Sequence, residues 1–528
     1  MTTFILVSGL FTGTHIWQDT AARLTAAGAR AHTAALTGLD GPREPRHADV
    51  DLETHIADVL AVVDAVEAGP DGKVVLVGHD YGIHPVAGAA DRRPDRVARI
   101  VHLDSGLPRD GVPALAAVPD QSLRERLSAP AAAGGDGHGA AVLAPPAHDE
   151  WPRWGSTDGV PAASLDRLTA LAAPQPLGTL LQPLRLSGAA GTVPSTGVLC
   201  TGNGTSIELV QLLVGLGDPA LRTLTDPRVT FFELPTGHWP MLSRPAELAD
   251  VLLRAAAGEG HRLTPVAADE PPAHLRPFLL DVPEVPRERH GRVDLYPPAA
   301  EEPRPAVVFV HGGPVSADAV PTPRDWPGLT GYARYAAGQG AVGVLLDHRL
   351  HDLGDHDRAA ADVAAAVELA RADPRVDADR IALWFFSGGG LLAADWLAAP
   401  PPWLRCLAAT YPVLAPLPNW GLSGTRFHPA RSVAGAGALP LVLTRVGREM
   451  PEIAATVEEF LAAARDSGAH LEVVDVPHGH HGFETVDHTD EARAAIRHAM
   501  RAVLRHAFGP AAHGHQSARR PAPDYRRE

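Results

Sequence analysis

The chain has 528 residues, 45% hydrophobic and 20% charged, with a formal net charge of −16; this suits a globular protein of two domains of about 250 residues each. The acidic balance excludes a nucleic-acid backbone or an anionic membrane as the main partner and favours a small, neutral, largely apolar substrate. Two cysteines, Cys200 and Cys406, exclude a disulfide framework and read as buried free thiols. The opening MTTFILVSGLFTG lacks a basic leader and its apolar run is too short for a span, so cytoplasmic residence is the expectation.

In chain order, residues 4–8 form a β-type run opening onto Gly9, followed by a helical stretch at 20–27 and a strand at 31–36. Residues 51–67 place Leu52, Ile56, Val59, Leu60, Val63 and Val66 at helical spacing, which predicts a helix packing one face on a sheet. The run VVLVGHDYG at 74–82 predicts a strand ending in a sharp elbow at Asp80. A strand at 99–103 then ends at Asp104. Alternation lapses into Pro, Gly and Ala over residues 108–192, which predicts a helical lid carrying Trp151 and Trp154 at a substrate pocket. Strands at 197–201 and 229–234 and a helix at 245–256 complete a first domain, residues 1–257, with His238 after the last strand.

A polar, proline-bearing linker spans 258–277, and a second domain spans 278–508. Its strand-like runs are 278–282, 291–296, 306–310, 342–346, 380–386, 404–409, 439–444 and 471–476, with a helix at 358–371. Residues 509–528 read as a disordered tail. Strand alternating with helix predicts, in each half, a mostly parallel sheet covered by helices on both faces.

The second half carries the parts of a nucleophilic site in order: Ser387 at an elbow, Glu449 after a later strand and His481 after the last. A serine hydroxyl needs a base, a carboxylate behind the base and N–H donors for the oxyanion. Backbone N–H groups of Gly312, Gly313 and Gly388 are the candidate donors. The serine, acid, histidine order and His311-Gly312-Gly313 resemble the α/β-hydrolase superfamily. The ending His481-Gly482-Phe483 resembles its dienelactone-hydrolase and acyl-peptidase branch. That resemblance implies an ester or lactone hydrolase with Ser387, His481 and Glu449 as its catalytic residues. Phe385 stands where the first glycine of Gly-x-Ser-x-Gly is usual, so a wider elbow is expected. His478, His480 and His481, and His351, Asp355 and His356, read as solvated loops; neither a metal nor an organic cofactor is called for.

In the first half, Asp80 in Gly-His-Asp-Tyr-Gly resembles the elbow of epoxide hydrolases and haloalkane dehalogenases. The surrounding segments resemble small bacterial esterases related to plant methyl-salicylate esterases and hydroxynitrile lyases. Together they imply a tandem α/β-hydrolase whose first half attacks an epoxide, a halide or an activated acyl group through Asp80. His238 is the candidate base, Asp104 the candidate carboxylate behind it, and Gly9, Leu10 and Tyr81 supply the candidate oxyanion N–H donors. The usual acid site after the seventh strand reads Thr201-Gly202-Asn203-Gly204, without a carboxylate. The different-class alternative is a first half that only binds, or runs a lyase or cyclase reaction in the same cleft.

Overall fold

The computed structural model describes residues 1–40, 49–66, 72–128, 142–215, 219–265, 271–422 and 424–509. The expected tail, part of the linker, the middle of the lid and Glu67 lie outside the described residues. The chain forms two compact units: residues 1–274 with 415–426 and 450–456, and residues 275–414, 427–449 and 457 onward. Two short pieces of the second half thus group with the first unit, where the sequence suggested contiguous halves.

The first unit is built on a six-stranded sheet whose strands are all parallel. These are β1 (Thr3–Val7), β2 (Arg30–Ala34), β3 (Val74–His79), β4 (Val97–Leu103), β7 (Ser195–Cys200) and β8 (Val229–Leu234). A two-residue ladder in the intervening insertion pairs β5 (Val142–Leu143) with β6 (Gln175–Pro176). Residues 4–7 and 74–77 are buried continuously rather than alternately, because helices cover both faces of the sheet. The predicted helix at 51–67 runs Leu52–Ala65. Asp51 starts it by accepting the Thr54 N–H while the Thr54 hydroxyl reaches back, which satisfies free N–H groups of its first turn.

Sheet order β2-β1-β3-β4-β7-β8 places β1 between β2 and β3. The chain therefore leaves β1 and β3 toward opposite sides, opening a crevice at their carboxyl ends. The insertion holds short helices Gln121–Ser128, Ala162–Leu171 and Leu177–Leu181.

The second unit holds an eight-stranded mixed sheet. Its strands are β9 (Glu288–His290), β10 (Val293–Tyr296), β11 (Arg304–Val310), β12 (Val342–Leu346), β13 (Val376–Phe386), β14 (Leu404–Thr410), β15 (Leu441–Arg448) and β16 (Leu471–His480). β10 is antiparallel to both β9 and β12, and the other six run parallel in the order β12-β11-β13-β14-β15-β16. Taken strand by strand, that order repeats the order of the first sheet.

The expected strand at 278–282 does not form. Its apolar character serves burial instead: Leu279 and Leu280 are buried, Phe278 packs on Tyr332, and the Leu279 N–H donates to the Glu484 carbonyl. Among the described residues no helix is long and apolar enough to cross a membrane.

Candidate active sites

In the second unit, Ser387 follows β13 directly and has φ +50°, a left-handed backbone that a non-glycine residue adopts only when the surroundings impose it. That turn aims Oγ at His481, whose Nε2 is 2.7 Å away. His481 comes just after β16 and Glu449 just after β15, so neighbouring strands bring imidazole and carboxylate together. His481 Nδ1 lies 2.9 Å and 3.1 Å from the two Glu449 carboxylate oxygens. The two side chains are only 10% and 5% exposed, which strengthens the pairing.

A Cβ on Gly312 would stand 2.9 Å from Ser387 Cβ, so only glycine lets this backbone approach the nucleophile. A Cβ on Gly388 would press still closer on the Gly313 carbonyl oxygen.

Phe385 is buried within β13, paired with Val310. At the corresponding position of the first elbow, a Cβ on Gly78 would lie 2.6 Å from Ile83 Cα. The two elbows differ in the turn beyond the nucleophile. Asp80–Gly82 is a single 3₁₀ turn leading into the helix Ile83–Arg92, whereas Ser387–Ala393 is a seven-residue 3₁₀ helix opening on three glycines. The longer 3₁₀ segment accompanies the bulky side chain, and Ser387 still meets His481.

Two residues that the sequence did not single out complete this site. Tyr411, at φ +35° after β14, packs its ring 4.6 Å from that of His481. Its hydroxyl donates to Glu484, whose pKa is raised by burial. The histidine clusters are solvated only in part, with His478 and His480 exposed, and they are not all loops. His356 is buried at the start of a helix, and His478 and His480 lie in β16, paired with Glu491 and Asp487.

In the first unit, Asp80 comes directly after β3 with φ +49°. Its Oδ2 accepts the Leu10 N–H at 3.0 Å, and a Cβ on Gly9 would lie 2.8 Å from Asp80 Cβ. Leu10 thus already engages a carboxylate oxygen of Asp80. His238 Nδ1 is 2.6 Å from Asp104 Oδ2, with side chains 7% and 4% exposed. Burial opposes a charge on His238, but the hydrogen bond and field of Asp104, joined by that of Asp80, outweigh it and raise its pKa.

Asn203 occupies the turn where the sequence showed no carboxylate. Its Nδ2 donates to Asp104 Oδ2 at 2.8 Å and lies 3.3 Å from His238 Nδ1, while the Cys200 N–H donates to Asp104 Oδ1. The signal was its position alone. His79 supports the histidine from behind: its Nε2 contacts the His238 carbonyl at 2.8 Å, and burial beside His238 pushes its pKa down to about 4. Among the described residues no hydrogen bond joins Asp80 to His238.

The two lid tryptophans part ways. Trp151 is a core residue, 1% exposed and stacked edgewise on Trp239, and its Nε1–H is spent on the Thr169 hydroxyl. It does not present an N–H to a pocket, because the aromatic surface gains more by burial against Trp239 and Phe11. Trp154 is half-buried, with its ring 4.6 Å from Phe11.

The Alpha/beta hydrolase family model matches residues 4–251. The Carbendazim hydrolyzing esterase of Nocardioides sp. (strain SG-4G) is 32% identical over 258 residues, 48% of this chain and 98% of that protein. Esterase PIR7B of Oryza sativa subsp. japonica is 38% identical over 105 residues, 20% of this chain and 39% of its own length. A methylesterase structure from Arabidopsis, MES16, aligns with 49% of this chain and 99% of its own at 19% identity and a TM-score of 0.38. With an esterase matched over nearly its whole length at this identity, the chain belongs to the alpha/beta hydrolase family and is a hydrolase.

Proposed function

We propose that both units are hydrolytic and that they use different nucleophiles. The second unit is a serine esterase or lactone hydrolase. The observation that carries this reading is the unbroken relay Ser387–His481–Glu449, with contacts of 2.7 and 2.9 Å. Ser387 Oγ attacks the acyl carbon and gives its proton to His481 Nε2. Glu449 stabilises the imidazolium, and the leaving alkoxide then takes that proton. Water, deprotonated by the same imidazole, hydrolyses the acyl ester. Gly312, Gly313 and Gly388 line the nucleophile as oxyanion donors. The shared strand order of the two sheets supports the view that the second unit is a relative of the first.

In the first unit the Asp80 oxygen not held by Leu10 attacks carbon. Displacing a halide leaves an alkyl ester and free halide, and opening an epoxide leaves a hydroxyalkyl ester whose alkoxide takes a proton from water. Attack on an activated acyl group leaves a mixed anhydride and frees the leaving group. His238, oriented by Asp104, deprotonates the water that cleaves this covalent intermediate. The absence of a direct hydrogen bond from Asp80 to His238 favours this division of labour, since a carboxylate needs no base to become nucleophilic. The Nocardioides relative is named an esterase, which supports an ester as one substrate class here. The replacement of the usual serine by Asp80 also favours a second reading, in which the first cleft binds without hydrolysing.

Full-length Ser387→Ala and Asp80→Ala proteins, assayed on aryl esters, styrene oxide and haloalkanes, separate these readings. Loss of aryl-ester turnover in the first variant and of epoxide or halide turnover in the second is expected. An Asp80→Ala protein that keeps every activity leaves the first unit without its proposed nucleophile.

A further inference from the structure

The geometry points to Gln175 and Thr179 as positioning residues that brace the Leu10–Phe11 turn, the donor-bearing turn facing Asp80 in the first site. Both side chains are fully buried in the insertion, at 0% exposure. The Phe11 N–H donates to Gln175 Oε1 at 3.2 Å, and the Ala173 N–H donates to the Phe11 carbonyl at 2.8 Å. Two residues of the insertion, Ala173 and Gln175, thus hold both backbone groups of Phe11. Phe11 stands at φ +61°, a left-handed conformation that a bulky residue leaves unless it is held. Immediately before it, Leu10 gives its N–H to Asp80.

The other end of the amide is pinned within the insertion. Gln175 Nε2 donates to Thr179 Oγ1 at 2.7 Å, and that hydroxyl donates to the Pro176 carbonyl at 2.6 Å. The neighbouring turn is held separately, beginning with the burial of the Tyr81 side chain. Tyr81 has a further anchor in His55. His55 Nε2 faces the Thr37 carbonyl at 2.9 Å and must carry the proton there, which leaves Nδ1 to accept the Tyr81 O–H at 2.8 Å. Burial pushes the His55 pKa down, in keeping with a neutral ring. Tyr81 stands next to Asp80 in the chain and offers the other oxyanion N–H. One buried amide, pinned by one hydroxyl of the insertion, therefore holds the Leu10–Phe11 turn whose Leu10 N–H meets Asp80, and neither touches the reacting atoms.

This inference rests on the reading of Asp80 as nucleophile, so its test has one arm that needs no chemistry. Full-length protein carrying Ser387→Ala and His238→Gln is incubated with styrene oxide, and the mass gained at Asp80 is followed over time. Adding Gln175→Leu or Thr179→Val is expected to slow adduct formation at saturating styrene oxide by about ten- to a hundredfold. The half-saturating concentration is expected to stay within about twofold, since the brace sets geometry rather than binding. Thr179→Ser, which keeps the hydroxyl, is expected to retain the parent rate.

In the second arm, amide hydrogen exchange of residues 9–12 is expected to accelerate in Gln175→Leu while β3 keeps its protection. If Gln175→Leu does not fold, Gln175→Met takes its place: it keeps an unbranched chain of similar length and gives up the acceptor for Phe11. A parent protein that gains no mass at Asp80 overturns the nucleophile reading and leaves exchange to decide the brace. A folded variant with unchanged exchange at residues 9–12, or an adduct rate equal to the parent's, overturns the brace itself.

Discussion

Asp80 and Ser387 hold the same left-handed backbone, φ +49° and +50°, each as the first residue past a central parallel strand. Such a conformation costs a non-glycine residue on the order of 1–3 kcal/mol and survives only where the surroundings over-determine it. Here close glycine contacts do so, with Gly9 against Asp80 and Gly312 against Ser387. Each strained turn lifts one oxygen-bearing side chain out of the sheet edge toward the crevice.

For Ser387, the expected outcome of alanine substitution is a fall of at least about a thousandfold in aryl-ester turnover by the second unit, with the fold unchanged. Intact-protein mass spectrometry after fluorophosphonate treatment is expected to show one adduct at Ser387 in the parent and none there in Ser387→Ala. An unmodified Ser387 refutes the relay.

Asp80→Ser places a hydroxyl where His238, already paired with Asp104, and the Leu10 N–H stand ready. In a Ser387→Ala background this variant is expected to gain aryl-ester hydrolysis, whereas Asp80→Ala gains none. Steady-state release of the aryl alcohol is the measurement.

The raised pKa of His238 sets a sign. A folded-state pKa above the unfolded value contributes stability that is complete below the unfolded pKa and is lost as pH rises through the folded one. Catalysis runs the other way, because the base must be neutral: first-unit turnover is expected to rise with pH through an inflection above 6.5. Asp104→Asn removes the dominant raising partner. It is expected to move that inflection down and to lower the maximal rate by about a hundredfold or more. A pH–rate profile of both proteins checks this, and an inflection that stays put counts against the pairing.

The elbows differ in their tolerance of bulk. Gly78→Ala drives a methyl group to within 2.6 Å of the Ile83 backbone and is expected to cost about 1–3 kcal/mol. Phe385→Gly restores the usual glycine but empties a fully buried aromatic site. It is expected to cost about 3–5 kcal/mol without raising second-unit turnover. Urea unfolding monitored by fluorescence measures both.

Much of this was legible in one dimension because the signals are local. A buried parallel strand reads as an unbroken apolar run, and a polar residue at its end followed closely by glycine marks the elbow, so Asp80 and Ser387 stand out unaided. Helix Pro245–Ala256 and strands β8 and β12 fall at the predicted bounds for the same reason: their periodicity and their glycine or proline boundaries lie within the segment. Residues 278–282 show the limit. An apolar run records only that it is buried, and here burial comes from Tyr332 rather than from strand pairing.

The sequence by itself determined which oxygens, imidazoles and carboxylates are available and in what chain order, because elbow chemistry is written within a few residues. Only the tertiary structure decided who meets whom. Asn203 reaches Asp104 across 99 positions and Gln175 reaches Phe11 across 164, while Trp151 turns inward to Trp239. Those choices arise from strand order and close packing, which make distant side chains compete for the same buried space and the same hydrogen-bond partners, and no periodicity along the chain records that competition.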